Sequence, residues 1–143
     1  MDLRQLAPNY FVSPQIAPAD MPVLAQAGFT SVICNRPDAE VTPDLQAAAM
    51  RAAAEAAGLR FEVLELVHQT LTPENAVLHR ELVQNGGEKV LAYCRSGTRS
   101  SVIWAMGQIG PRSVEDVMAA TRAAGYNLDS YLPLFQQVAL NPV

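Results

Sequence analysis

Short apolar, β-prone runs alternate along the chain with longer amphipathic segments. Four such runs predict strands at Tyr10–Val12, Thr30–Cys34, Phe61–Val67 and Val90–Cys94. Strands that alternate with helices indicate an α/β fold with a mainly parallel sheet, covered by helices on both faces. The last run, which is apolar almost throughout, is typical of a central buried strand.

Start and stop signals predict six helices between and after these strands. A threonine precedes a proline at Thr42-Pro43 and at Thr72-Pro73, as is common where a helix begins, and Ser113 is a further candidate N-cap. Glycines follow several of the amphipathic segments, as they do where helices end. The helices are expected from about Asp20 to Ala27, from Thr42 to just before Gly58, from Thr72 to about Asn85, from just after Gly97 onward, from Ser113 to Gly125, and from about Ser130 to Leu140.

Composition limits the classes of protein to which this chain can belong. The chain has 143 residues, half of them hydrophobic, which suits one domain spanning residues 1–143. A net charge of −4 argues against a general nucleic-acid binder, which needs a broad basic face. No apolar stretch approaches the length of a signal peptide or a membrane span, so we expect a soluble, cytoplasmic protein. The two cysteines and two histidines show no ligand spacing, and neither a metal nor another cofactor is expected.

Most of the candidate catalytic and anion-binding residues lie in the loop Cys94–Ser100, which follows the predicted central strand and precedes a helix. Ligands of such sheets bind beyond the carboxyl ends of the strands. A cysteine attacks as its thiolate, and the helix N-terminus, the two arginines and the loop N–H groups should all favour the thiolate. The same groups can bind a tetrahedral anion, and arginine binds such oxyanions in a bidentate way.

A purely structural interpretation of this loop is a glycine turn beside a half-buried cysteine. It does not account for two arginines and three hydroxyls gathered around one thiol. Cys34 has no such surroundings in Ser31–Cys34, so we interpret it as a small buried apolar residue.

Two resemblances meet in this sequence. The loop Tyr93–Ser100 resembles the active-site loop of single-domain rhodaneses, which are thiosulfate sulfurtransferases. The first forty residues, including Tyr10–Ser13 and Gly28–Ile33, resemble the start of a dual-specificity phosphatase. Together with Asn35–Asp38, the combination resembles the beta-lactamase-hydrolase-like phosphatase-domain family over roughly residues 2–110. That resemblance implies a tyrosine-phosphatase-like three-layer fold with a central sheet of four or five strands. It also implies either a phosphatase or a sulfurtransferase activity.

Loop length favours the sulfurtransferase. Tyrosine phosphatases place five residues between the cysteine and the arginine, whereas four separate Cys94 from Arg99, as in rhodaneses. Ser100 occupies the phosphatase arginine position. The general acid of phosphatases is an aspartate on the loop after the preceding strand, and the corresponding stretch Leu66–Thr72 contains none. Sulfite, the leaving group in transfer from thiosulfate, needs little help from an acid.

His68 lies just past the third predicted strand. It is a candidate acid or substrate ligand, or a loop residue bonded only to backbone. Arg36 and Asp38, at the end of the second predicted strand, are candidates either to line the pocket or to fix its loop by an ion pair, and we favour the structural role. Glu62 and Glu65 are also expected to be structural, and His79 is expected at the surface or in packing.

The leading hypothesis is therefore a sulfurtransferase that forms a persulfide on Cys94 from thiosulfate or a low-molecular-weight persulfide. The alternative is a phosphatase with a phosphocysteine intermediate, and a third hypothesis is a non-catalytic anion-binding or redox-sensing module. All three take a small anion, and the sequence indicates no partner and no oligomeric state. The candidate catalytic residues are Cys94, Arg99 and His68, and the candidate anion-binding residues are Arg95, Ser96, Gly97, Thr98 and Ser100.

Overall fold

A five-stranded sheet forms the middle layer of the computed structural model, which describes residues 1–143. The strands are β1 (Arg4–Ala7), β2 (Tyr10–Ser13), β3 (Ser31–Cys34), β4 (Arg60–Val63) and β5 (Val90–Tyr93). Their order is β1-β2-β5-β3-β4, and every neighbouring pair is parallel except the antiparallel hairpin β1–β2. The central place of β5, which is buried at all four residues, confirms the expectation from its apolar sequence.

Six helices surround the sheet. They are α1 (Met21–Gln26), α2 (Ala47–Ala56), α3 (Pro73–Gln84), α4 (Thr98–Gln108), α5 (Val114–Ala123) and α6 (Leu132–Leu140). Two predicted N-caps are confirmed: Thr72 Oγ1 accepts the Asn75 N–H at 3.3 Å, and Ser113 Oγ accepts the Asp116 N–H at 3.1 Å. No helix has both the length and the apolar character needed to cross a bilayer.

Two apolar clusters pack against opposite faces of the sheet. Alternate residues of β5 separate them, since Val90 and Ala92 belong to one cluster and Leu91 and Tyr93 to the other. Helices α1 and α2 cover the face of Leu91, and helices α3 to α6 cover the face of Ala92. The α/β class, the parallel sheet and the helices on both faces are therefore confirmed.

The structure differs from the predicted elements in three places. Strand β1 was not predicted, because only two of its four residues are buried and they form no apolar run. The strand predicted over Phe61–Val67 ends at Val63. The apolar run continues past the end of the strand because Leu66 is buried in the segment that follows. The helix predicted from Thr42 begins at Ala47, after a single 3-10 turn, because the Asp38 carboxylate accepts the Ala47 N–H at 2.8 Å.

Candidate active site

The loop between β5 and α4 surrounds the sulfur of Cys94. Gly97 ends the loop at φ +96°, a left-handed conformation that favours glycine, and α4 begins with the next residue. The Gly97 N–H donates to Cys94 Sγ at 3.1 Å. Cys94 is 1% exposed, so only a small group that enters the loop can reach its sulfur.

The peptide groups of this loop are oriented for an anion. Three successive carbonyl groups bond away from the loop centre: Arg95 O accepts from Gln15 N at 3.2 Å, Ser96 O from Tyr126 Oη at 3.1 Å, and Gly97 O from Ser101 Oγ at 2.7 Å. Several backbone N–H groups have no protein acceptor, namely those of Arg95, Ser96, Arg99 and Ser100. Free N–H groups beside a helix N-terminus form a ready anion-binding nest.

Arg99 is held rigidly beside the sulfur. Its Nη1 and Nη2 each donate to the Glu40 carboxylate at 2.8 Å, and Nη1 also donates to the Leu66 carbonyl at 2.6 Å. The hydrogen bonds to Glu40 raise the pKa of Arg99, and the nearby Cys94 sulfur raises it further. The Nε of Arg99 makes no hydrogen bond to a protein oxygen and belongs to the side of the guanidinium not taken up by Glu40.

Glu40 supplies the carboxylate that binds Arg99, although no motif in the sequence marks it. Besides Arg99 it accepts from Arg36 Nε at 3.2 Å. The hydrogen bond from Arg99 above all, and the one from Arg36, lower the pKa of Glu40. Glu40 is therefore ionised at neutral pH and is a positioning group for Arg99 rather than a proton donor.

The hydroxyl groups of the loop are engaged with protein groups. Ser96 Oγ donates to Thr98 Oγ1 at 3.0 Å and accepts the Thr98 N–H at 3.3 Å. Ser100 Oγ donates to Asn35 Oδ1 at 2.8 Å, which ties the start of α4 to the end of β3. The part of Ser100 left for an anion is thus its N–H. Arg95 is exposed, and its side chain has no protein partner.

His68 lies in an exposed 3-10 turn, His68–Thr70, two residues after the carbonyl that binds Arg99. Its ring centroid is 6.3 Å from that of Tyr131. The chain therefore brings His68 to the rim of the site, but no hydrogen bond fixes the ring there.

The other polar candidates at this sheet edge have structural contacts. Arg36 pairs with Glu40, and Asp38 caps α2 as described above. Glu65 Oε2 accepts the Asp38 N–H at 3.2 Å. No group of three or more His, Cys, Asp or Glu side chains comes together as a metal site.

A buried pair of hydrogen-bonded side chains, Tyr10 and His79, contacts the start of α4. Tyr10 Oη donates to the Ser100 carbonyl at 2.9 Å and lies 2.9 Å from His79 Nε2. Because the single phenolic proton goes to the carbonyl, Nε2 of His79 carries the other proton, and Nδ1 is left buried without a partner. Burial lowers the pKa of His79 to about 3, so the ring is neutral.

Comparison with known proteins relates this chain to a family of phosphatase-like domains. The sequence profile described as "Beta-lactamase hydrolase-like protein, phosphatase-like domain" matches residues 2–111. A beta-lactamase hydrolase-like protein of Xylella fastidiosa strain 9a5c is 26% identical over 118 residues, which are 81% of this chain and 27% of that protein. One from Agrobacterium fabrum is 29% identical over 90 residues, 63% of this chain and 21% of that protein. The chain thus spans about a quarter of the length of these curated relatives.

Solved structures agree with this relationship. The Neisseria meningitidis protein nma1982, described as a "putative phosphatase", superposes with a TM-score of 0.86 at 29% identity, over 96% of this chain and 98% of that one. Tk-PTP in its active form superposes with a TM-score of 0.77 at 16% identity, over 99% and 98%, which shows the shared fold. The tyrosine-phosphatase-like fold is confirmed, and these findings support the phosphatase alternative over the sulfurtransferase hypothesis.

Proposed function

This chain belongs to the family of phosphatase-like domains of beta-lactamase hydrolase-like proteins, and we propose that it hydrolyses small phosphate monoesters through a phosphocysteine on Cys94. The observation that carries the proposal is the loop that encloses Cys94 Sγ. It offers inward N–H groups, a helix N-terminus and a fixed guanidinium to one tetrahedral anion.

The reaction follows from these groups. The substrate phosphoryl group enters the loop, and its oxygens accept from the free N–H groups and from Arg99. The Cys94 sulfur attacks phosphorus, the ester P–O bond breaks, and the leaving oxygen takes a proton. A water molecule then attacks the phosphocysteine, the S–P bond breaks, and inorganic phosphate and the thiolate are released.

The source of that proton limits the substrates. Glu40 is ionised and paired, and Asp38 caps α2, so neither is available as an acid. His68 at the rim is the remaining candidate donor. Without a firmly placed acid, we expect good leaving groups such as phenols to be favoured over alkyl alcohols.

A structural neighbour supports a phosphate ester as the substrate class. Pseudomonas aeruginosa TpbA, which shares this fold at 14% identity, has been solved in complex with phosphotyrosine. That ligand is an aryl phosphate, the class that the site of the present chain would favour.

The proposal is tested with p-nitrophenyl phosphate and the isolated chain. We expect hydrolysis that vanadate inhibits and that Cys94→Ser abolishes. Rapid acid quenching should trap a species heavier by about 80 Da on Cys94, as a phosphocysteine requires. The absence of both turnover and trapped intermediate would exclude the phosphatase.

His68→Ala tests the acid separately. If His68 donates the proton, its removal should slow alkyl phosphates much more than p-nitrophenyl phosphate, whose leaving group needs no acid. An equal effect on both would show that His68 is not the donor.

A sulfurtransferase remains the second candidate, because four residues separate Cys94 from Arg99 and the carboxylate that binds Arg99 is ionised and paired. It predicts about 32 Da of added mass on Cys94 after treatment with thiosulfate, removable by a thiol reductant and absent in Cys94→Ser. Inactivity in both assays, with Cys94 still more reactive than a free thiol, would favour the non-catalytic anion-binding or redox-sensing module.

A further inference from the structure

Tyr126 contacts the Cys94–Ser100 loop, although it lies outside residues 2–111, the segment that the family profile matches. It follows α5, and its Oη donates to the Ser96 carbonyl at 3.1 Å. A Cβ atom on Gly97 would clash with Tyr126 Oη, so the phenol edge packs directly on the bare Cα of Gly97. The loop is therefore in contact with Tyr126 at two successive residues.

The hydrogen bond acts on the peptide that contacts the sulfur. The Ser96 carbonyl and the Gly97 N–H belong to one planar trans peptide group, so they point in opposite directions. The carbonyl accepts from Tyr126, and the N–H donates to Cys94 Sγ. A half-turn of this peptide would aim the carbonyl oxygen at the sulfur, and glycine at position 97 makes such a turn inexpensive.

Tyr126 is itself well placed to restrain that peptide. Its N–H donates to the Thr121 carbonyl at 2.9 Å, around Gly125 at φ +98°, so the end of α5 sets its position. Arg4 of β1 donates to the Ala124 carbonyl at 3.1 Å and holds the same end of the helix. Burial raises the pKa of Tyr126, and the nearby Cys94 raises it further, so the phenol keeps its proton at neutral pH.

We propose that Tyr126 is a positioning residue for the Cys94 site, whose hydroxyl keeps the Ser96–Gly97 peptide with its N–H toward the sulfur. Its consequence for catalysis rests on the proposed phosphatase function. Its consequence for the reactivity of the sulfur does not, because the same N–H stabilises the thiolate whether or not a phosphate ester is turned over.

The test removes one oxygen atom with Tyr126→Phe and compares it with Tyr131→Phe. Tyr131 packs on Phe135, and its hydroxyl takes no part in the loop. Because Tyr126 is partly exposed, the loss of its hydroxyl should leave the thermal unfolding midpoint nearly unchanged. We expect the midpoint of the iodoacetamide alkylation rate against pH to move to higher pH in Tyr126→Phe only. Vanadate affinity and kcat/KM on p-nitrophenyl phosphate should each fall about five- to tenfold, the scale of one lost hydrogen bond.

The two proposals can fail separately. A shifted alkylation profile in a protein without phosphatase activity would support the role of Tyr126 and refute the proposed function. An active protein in which Tyr126→Phe changes neither profile nor kcat/KM would refute the role of Tyr126 alone. Equal shifts in the two phenylalanine variants would also overturn it.

Discussion

Arg99 and Glu40 form the most closely defined side-chain pair near Cys94. Two parallel hydrogen bonds of 2.8 Å fix the plane of the guanidinium, and the Leu66 carbonyl fixes it from a third direction. Such a donor need not reorganise when an anion arrives, which is the condition for efficient electrostatic stabilisation.

Glu40→Gln should therefore reduce activity more than stability. The glutamine side chain has one carbonyl oxygen, so it can accept only one of the two hydrogen bonds that Arg99 donates. Its NH2 group would face the other donor, and the guanidinium would lose its fixed plane. We expect kcat/KM on p-nitrophenyl phosphate to fall roughly tenfold to a hundredfold. The free energy of unfolding should change by less than about 1 kcal/mol, because the Glu40 side chain is 31% exposed.

Asp129→Asn is the matched control for this carboxylate. It breaks the exposed pair between Arg122 and Asp129, which also has a 2.8 Å contact but lies away from the loop. Its kcat/KM should equal that of the unchanged protein. Equal losses in the two variants would show that the Glu40 pair has no special role in the site.

His79 should make the fold sensitive to acid. Burial lowers its pKa to about 3 in the folded chain, from an ordinary value of 6.5. The unfolded chain therefore binds a proton at higher pH than the folded chain does. The His79 contribution to the free energy of unfolding is retained above pH 6.5 and declines as the pH falls toward 3, by about 3 kcal/mol at pH 4.5.

His79→Gln separates this effect from the titration of carboxylates. The glutamine amide can still donate to Tyr10 Oη but does not titrate. Urea unfolding at pH 7 and at pH 4.5 should show a smaller acid loss in His79→Gln than in the unchanged protein. His68→Gln, at an exposed position, should keep the full loss; an identical pH dependence in all three proteins would contradict the prediction.

Among the secondary-structure elements, α5 connects the packing of the fold to the site. Ser113 caps its first turn, and its last turn leads into Tyr126. Ser113→Ala should lower the free energy of unfolding by about 1 kcal/mol, the usual cost of an N-cap. Thermal denaturation measures this change, and Ser130→Ala, at an exposed serine whose side chain makes no hydrogen bond, should show none.

Most elements could be predicted because their signals are local. An apolar run predicts β5, and a threonine followed by proline predicts the start of α3, without knowledge of the rest of the chain. The elements that were missed or misplaced depend on residues that are far away in the sequence. Strand β1 exists because β2 provides its partner, and α2 begins at Ala47 because Asp38 caps it across an intervening turn.

The same distinction applies to the site. The groups contributed by Cys94–Ser100 could be recognised because they are adjacent in sequence. Glu40 and Tyr126 could not, since they reach the loop from separate segments and no spacing marks them. The Leu66 carbonyl that binds Arg99 carries no side-chain signature at all. The preference for sulfur transfer came from loop length, whereas the matches to a phosphatase-like domain family and to a solved structure described as a putative phosphatase favour the alternative.

On the scale of the whole molecule, the C-terminal helices belong to the same core as the sheet. The family profile ends at residue 111, yet Val117 on α5 and Phe135 on α6 are fully buried in the larger cluster with Tyr10 and Trp104. The matched segment is therefore smaller than the structural unit.

A chain shortened to residues 1–111 should consequently not fold cooperatively. Removal of α5 and α6 would expose the apolar surface of α4 and the edge of the loop. We expect binding of a hydrophobic dye and a broad thermal transition by circular dichroism, where the full chain gives a sharp one. A sharp transition for the shortened chain would show that α5 and α6 are dispensable.

The strand order has a consequence for synthesis on the ribosome. Strand β5 is the last to be made, yet it lies between β2 and β3 and pairs with both. Until it emerges, each of those strands has an open hydrogen-bonding edge, the kind of surface on which nascent chains associate with one another. Cys94 directly follows the residues that fill this gap, so the sulfur takes its place in the loop only once β5 has joined β2 to β3.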